Sequence, residues 1–500
     1  MDNAAEIVKT LDNLSGTIGR SGDVSIILAA GHGKRIKSEK SKMLHEIWGK
    51  PSVCRVCDAA ARGLDSDNQI VVVGKKALDV AEKLGRKKGR VFVYQEEQRG
   101  TGHAVQIALA HAQLRGYSGS VFIFPGDMGL LEETTVKKMK ERFYGSDCDM
   151  LALTGTFEGA VEDNYYGRIL TSTRYPDRII EIKEHRDILA MEESHYEVEY
   201  GNGIERFTPG EMLNIREFNV GVYAMKTEPL RKLVKHIDSN NVQGEIYITD
   251  LIKIFNDRSM KVCPHRVRDN QLVVSFNVKS VLKQMDDTFR SMVYEKLKDI
   301  ITIDDPEDFY IAEETVEAII RMDSEGPPLD ISVGKGVHIG PGITLNRGVA
   351  VEKNTILQGT AVLGSGVFIG ESVLLSTFPG QVIRIGDGSR VLRGNVIKGS
   401  VDIGSGTVIE SGVRITGSTG EPVKIGDNVL IKGMTYIYGS IIENELLIEH
   451  SILKCRRVRK VVLENGEVQP VKYILPSPEG LDAVSGVSDN GNGRDRAGEP

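Results

Sequence analysis

Three short polar clusters carry residue types suited to handling a polyphosphate. The first lies in residues 24–51, VSIILAAGHGKRIKSEKSKMLHEIWGKP. An apolar run of strand length ends in Gly31-His32-Gly33, then Lys34 and Arg35, with Lys40 and Lys42 close behind. Glycines let backbone N–H groups come close to a ligand, and N–H groups beside fixed cations are what phosphates need. Neither standard glycine loop is present. A G-x-G-x-x-G would need glycine at Ile36, and a P-loop needs four residues between its glycines, where this chain has one. The second cluster is Gln95-Glu96-Glu97-Gln98-Arg99-Gly100-Thr101-Gly102-His103. It holds amides with both donor and acceptor, two glycines around Thr101, and then a helix for which Thr101 is the expected cap. The third is Phe124-Pro125-Gly126-Asp127. A carboxylate just past a strand's end is placed to hold a hard cation.

In order and spacing these clusters resemble a known family. LAAGHGKR followed by SKMLHEIWGKP is similar to the L-A-A-G-x-G-T-R…P-K-x-L-H…G-K-P signature of the sugar-1-phosphate nucleotidyltransferases. The resemblance is closest to the N-acetylglucosamine-1-phosphate uridylyltransferases. It implies that Arg35 and Lys42 are the catalytic cations, and that Ala30, Gly31, Gln95, Gly100 and Thr101 bind the nucleotide, with Gln95 reading the uracil edge. Tyr166-Gly167-Arg168-Ile169, Ile182-Lys183-Glu184-His185-Arg186-Asp187 and Phe218-Asn219-Val220-Gly221 resemble the family's sugar segments. They imply sugar contacts from Gly167, Glu184 and Asn219. Phe276-Asn277-Val278 resembles V-N-N-R, which implies Mg²⁺ held by Asp127 and Asn277. The chain departs from the family at Lys34, Ser41, Gly129 and Val278. Those departures keep a non-catalytic or regulatory homologue as the alternative reading.

The elements that must position these residues alternate from 24 to about 280. Strand patterns fall at 24–29, 70–73, 91–94, 121–124, 150–154, 220–225 and 272–276, with helical stretches such as 77–86 and 103–114 between them. Continuous apolar runs suit parallel strands covered on both faces. The alternation predicts a doubly wound α/β domain over 24–280, with ligands beyond the carboxyl ends of its strands. Ile7, Leu11, Leu14 and Ile18 predict a short amphipathic helix in the 1–23 extension. A charged helical connector is expected over 281–329.

After Gly326-Pro327-Pro328 the period changes. Val333, Ile339, Leu345, Val351, Leu357, Leu363, Ile369 and Leu375 recur every six residues. The register slips by four, resumes from Ile385 to Ile415, and slips by four again before Ile425, Ile431 and Ile437. This predicts a hexapeptide-repeat parallel β-helix over 330–460 with a loop leaving at each slip. By resemblance it is left-handed and builds a homotrimer. Bifunctional members of the family carry an acetyltransferase in this region. Here only His338 and His450 fall in the repeat, outside the H-x-x-Y setting, so packing and assembly are the expected role. The basic run from Lys454 to Lys460 reads as a solvated face. Over 461–500, Asn465-Gly466 signals a hairpin, and a disordered tail is expected from Pro476.

Bulk properties narrow the function classes. At 500 residues the chain exceeds one core, so two or three domains are expected. A net charge of −7 argues against nucleic acid as partner and for small anionic substrates met by local cations. No apolar run reaches membrane-span length, and no signal peptide pattern opens the chain, so neither a membrane partner nor export is expected. The five cysteines are scattered, with one C-x-x-C at Cys54 and Cys57 on a helical apolar stripe. Too few for a zinc site, they are expected to be reduced, as in a cytoplasmic protein.

Overall fold

The structure is a computed structural model that describes residues 4–31, 33–201, 203–239, 241–324 and 326–472. His32 and the tail expected from Pro476 lie outside the described residues. The chain divides into two compact units, Met1–Phe289 and Arg290–Pro500.

The first unit is built on a nine-stranded sheet. Its strands are β1 (Asp23–Ala29), β2 (Gln69–Val73), β3 (Arg90–Tyr94), β4 (Ser120–Pro125), β5 (Met150–Thr156), β6 (Arg168–Thr171), β7 (Ile179–Lys183), β10 (Glu217–Lys226) and β11 (Val262–Arg266). A separate hairpin, β8 (Tyr196–Tyr200) and β9 (Gly203–Phe207), is inserted between β7 and β10. The main path runs β11-β5-β10-β4-β1-β2-β3. Strands β1 to β4 are parallel, as their unbroken apolar runs require. The antiparallel member is β10, paired with both β4 and β5.

Alternation along the strands feeds two cores. Val24 and Ile26 join Val105 and Ala108 of α4 (Thr101–Ala110) and Leu251 and Phe255 of α9 (Asp250–Asp257). Ile27 and Ala29 turn the other way, towards Val53, Val56 and Cys57 of α2 (Ser52–Leu64) and Val136 of α5 (Glu133–Tyr144). Period two in a strand thus sends neighbours to opposite faces. Buried Cys57 has its thiol pushed up to about 12 by desolvation, which makes it an inert core residue. The amino-terminal helix α1 (Ala4–Leu14) buries Leu11 in the second core.

Three expectations are corrected. Residues 272–276 do not form a strand. Asn270–Val273 make a 3-10 turn capped by Asp269, and the Asn270 amide closes on both backbone groups of Thr156. The cysteines are not all reduced: parallel pairing of β11 with β5 brings Cys148 and Cys263 to a Cα separation of 6.1 Å, where they form a disulfide. The stretch expected as a helical connector is only partly helical. Its helices are α10 (Lys279–Leu297) and α11 (Glu313–Ser324). Between them, Thr302–Ile303 and Phe309–Ile311 pair with Ser332–Val333 and Val337–Ile339, so the coil begins before α11.

The second unit is a parallel β-helix whose three sheets hold nine, eight and seven short strands. The six-residue apolar positions point inward: Val333, Ile339, Leu357, Leu375, Ile397, Ile415 and Ile437 are all buried. Stacked partners are eighteen residues apart, as in Ile339↔Leu357, and twenty-two across each slip, as in Leu375↔Ile397 and Ile415↔Ile437. The four extra residues leave as loops, one carrying the exposed Phe378. Beyond Ile437 the spacing contracts to seventeen (Ile425↔Ile442) and sixteen (Ile437↔Leu453), which a strict search for sixes passes over.

Buried polar side chains stitch the corners. Fully buried Asn395 donates to Leu392 O and Ile409 O and accepts from Val413 N. Thr407 accepts from Val429 N and donates to Gly426 O. Buried backbone groups need such partners. Asn395→Ala strands two of them, Leu392 O and Val413 N, since Ile409 O keeps the Leu392 N–H, and is expected to cost about 2 kcal/mol in urea unfolding. An unchanged midpoint would contradict that accounting.

Candidate active site

The residues at the carboxyl ends of β1 and β4 meet first. Leu28 O accepts from Gly126 N at 3.0 Å, and a Cβ on Gly126 would fall 3.1 Å from that same oxygen. The loop after β1 folds back through Gly33, whose φ of +60° and 2.8 Å approach to Lys42 Cβ exclude a side chain. Ile36 is buried and pins the turn Lys34–Ile36, while Arg35 stays exposed. Lys42 opens a second turn, Lys42–Leu44, and is itself buried at 8% exposure.

The Lys42 Nζ donates to Asp127 Oδ2 and, at 2.8 Å, to Asn277 Oδ1. It also lies 5.6 Å from the Phe276 ring centre. Residues 85 and 235 positions apart in sequence therefore close on one ammonium. Trp48 packs with its ring tilted against Phe289 of α10, and its backbone N–H donates to Asp286 Oδ1, which steadies the segment after Lys42. The Asp127 carboxylate and Asn277 amide oxygen flank a single positive charge. Two hard oxygen donors with room for phosphates suit a divalent cation that keeps several waters. Among the described residues no three His, Cys, Asp or Glu side chains gather as a metal cage.

A cleft of about 860 Å³ opens in front of this cluster, within the size range of ligand sites. Ala30, Gly31, Arg35, Lys42, Gln95, Gly100, Thr101, Asp127, Glu184 and Asn219 all line it. Gln95, only 3% exposed, is held in plane by Gly100 O and His103 Nδ1. Thr101 does not cap α4, whose N-cap is Gly100; its hydroxyl instead accepts from Ile248 N. Two backbone contacts bind residues 99–102 to Ile246: Ile246 N to Arg99 O and Gly102 N to Ile246 O, both 2.8 Å. This close docking explains the glycines, since a Cβ on Gly100 would fall 2.5 Å from Ile246 O.

On the far wall Asn219 Oδ1 accepts from Gly221 N and Tyr223 Oη. Gly167 stands behind the wall. Its carbonyl takes the Asn219 N–H, and a Cβ there would come 3.2 Å from Glu184 Oε1. Burial pushes the Glu184 carboxyl up to about 7, with Asp187 and Asp250 adding to the effect. Arg168, fully buried, donates to the carbonyls of Asn164, Tyr166 and Leu213 and so holds the 164–166 turn in place.

Sequence reasoning passed over Gln98, Arg186, Gln243, Glu245, Tyr247 and Thr249, which also line the cleft. The signal for the last four was short: Glu245 and Tyr247 alternate with buried Ile246 and Ile248, while Gln243 sits in a turn and Thr249 is itself buried.

Residues 25–184 match the family described as MobA-like NTP transferase domain. The bifunctional protein GlmU of Acetivibrio thermocellus is 33% identical over 294 residues, covering 58% of this chain and 57% of that protein. GlmU of Clostridium tetani is 33% identical over 316 residues, covering 63% and 62%. The chain thus spans less than two thirds of either relative. A solved UDP-glucose pyrophosphorylase in complex with UDP-glucose superposes on 54% of this chain and 99% of its own, at TM-score 0.39 and 16% identity.

Proposed function

We infer that this chain, one of the sugar-1-phosphate nucleotidyltransferases by its MobA-like NTP transferase domain and its kinship with GlmU, makes a UDP-sugar and pyrophosphate from UTP and a hexose 1-phosphate. The sugar we assign is N-acetylglucosamine 1-phosphate. One observation carries the reading: Lys42 bonded to both Asp127 and Asn277, on the wall of a cleft that Arg35, Gln95, Glu184 and Asn219 also line. A phosphate oxygen of the sugar phosphate attacks the α-phosphorus of UTP, and the bond to the bridging oxygen of the β-phosphate breaks. No covalent enzyme intermediate is required, so the work is positioning and charge neutralisation. Arg35 holds the leaving pyrophosphate and Lys42 the α-phosphate or sugar phosphate. Gln95 reads the uracil edge, Gly100 and Thr101 support the nucleoside, and Glu184 and Asn219 receive the sugar hydroxyls and acetamido group. Asp127 and Asn277 would hold Mg²⁺, which supplies charge screening of the phosphates when bound.

The β-helix is assigned to support and to a homotrimer, not to acetyl transfer. His338 in it is stacked on Tyr310 at 4.4 Å. Among the described residues no helix is long and apolar enough to cross a membrane. The cytoplasm is the location assigned by kinship with GlmU, although the Cys148–Cys263 disulfide does not add to that reading.

Purified protein given UTP, Mg²⁺ and N-acetylglucosamine 1-phosphate should release pyrophosphate, less with dTTP or another hexose phosphate. Silence with every nucleotide and sugar phosphate pair would favour the non-catalytic reading. Gly100→Ala is expected to raise the KM for UTP roughly tenfold, since its φ of +109° and the 2.5 Å approach to Ile246 O force the 99–102 segment to move. Steady-state kinetics with varied UTP would read this.

A further inference from the structure

A second cavity, of about 680 Å³, opens on the other side of the sugar wall. It lies among β7, α6 (His185–Leu189), the approach to β8, residues 236–238 and 241–242, and α9. Glu184, Tyr247 and Thr249 form part of both its wall and that of the cleft. The proposed transfer reaction uses nothing else in it.

Its chemistry is specific. Eight carboxylates face the cavity, against two lysines and two histidines. One lysine, Lys183, is taken up by Glu181 at 3.6 Å and by the Tyr196 ring at 4.3 Å. Apolar side chains lie between the charges, Ile182, Ile237 and Ile254 among them. On the shared wall, Thr249 is only 4% exposed, yet among the described residues its Oγ1 has no hydrogen-bond partner. A buried hydroxyl left in that state is rare in folded proteins and calls for a polar ligand.

Among the described residues no three His, Cys, Asp and Glu side chains gather as a metal cage. Spread charges separated by aliphatic surface and aromatic rings match a ligand whose own positive charges are spread by methylene groups. A hard cation concentrates its charge at a point, whereas an alkylammonium chain distributes it and stacks well on tyrosine. We propose that this cavity binds a linear aliphatic polyamine, with ammonium groups on Glu181, Asp187 and Asp250, methylenes against Ile182 and Ile254, and one N–H on Thr249 Oγ1. The carboxyl of Asp250 is pushed up to about 6, first by burial and then by the charges of Asp238 and Glu181, with Lys183 opposing them only in part. The proposal concerns a binding site, so it stands or falls apart from the transfer reaction.

Isothermal titration calorimetry of the full chain with spermidine tests it. One saturable site is expected, weakening as salt is raised. The double variant Asp187→Asn/Asp250→Asn should bind at least roughly tenfold more weakly, the loss of 1.4 kcal/mol or more in binding free energy. Because that variant could disturb α6 or α9, Lys253→Gln is the second arm. It removes an exposed cation that lines the cavity and should tighten spermidine several-fold, a gain that misfolding cannot mimic. Absence of saturable heat at millimolar spermidine would overturn the proposal. So would equal affinity in the wild type and both variants, or Mg²⁺ alone competing for the same site.

Discussion

Lys42→Ala should lower kcat/KM for pyrophosphate release about a thousandfold, the scale found when one preorganised donor to developing charge is removed. Lys42 is the only atom set that touches both Asp127 and Asn277 among the described contacts of those two side chains. Its side chain is buried and its stem lies against the Gly33 turn, which fixes where the ammonium stands. Arg35 is exposed and lines the same cleft, where it can meet phosphate. Lys42→Arg should not rescue activity, because a planar fork does not fit a site shaped for a compact charge. Asp127→Asn should fall nearly as far. Each variant is to be checked by circular dichroism and thermal unfolding, and full turnover in a folded Lys42→Ala would remove the assignment.

Glu184→Gln should move stability and sugar affinity in opposite directions. The carboxyl is raised from 4.5 to about 7 by burial and by Asp187 and Asp250. In the unfolded chain it ionises first, so native stability falls as pH rises from about 4.5 to about 7 and is flat above. The full shift corresponds to roughly 3 kcal/mol, and glutamine, with no charge to bury, should recover much of it at pH 8 and almost none at pH 4. Thermal unfolding of both proteins across that range checks the sign. A stability difference that does not grow with pH would refute it. The same change should raise the KM for the sugar phosphate ten- to a hundredfold, since a charged acceptor for sugar hydroxyls is lost. A destabilising group kept on a ligand wall is a trade of stability for binding.

How far the sequence revealed this molecule depends on the range of the signal. Apolar runs at 24–29 and 121–124 are local, and they mark β1 and β4. The six-residue rhythm from Val333 to Ile437 is repeated, and it marks the coil. Gly100 and Gly126 mark close approaches, although not what approaches them; that Ile246 docks on Gly100 depends on a chain segment far downstream. The Cys148–Cys263 pair spans 115 residues and follows only from β5 lying beside β11, which no periodicity encodes. Residues 272–276 carry strand-like composition, but Asp269 and Asn270 capture the local backbone first. The cleft wall at 243–249 was hidden because its alternation is short and bounded by charged residues.

The contraction of the last coils has a consequence for growth. A parallel β-helix ends in open strand edges, which invite another copy to add on. Towards that end the rungs shorten to sixteen residues, against eighteen at the start, and the last described pairing, Ile448↔Val471, spans twenty-three. The antiparallel bridge Val462↔Val468 precedes the last described strand, Val471–Lys472. A second copy added at the last described rungs would therefore meet strands out of step with its own eighteen-residue repeat.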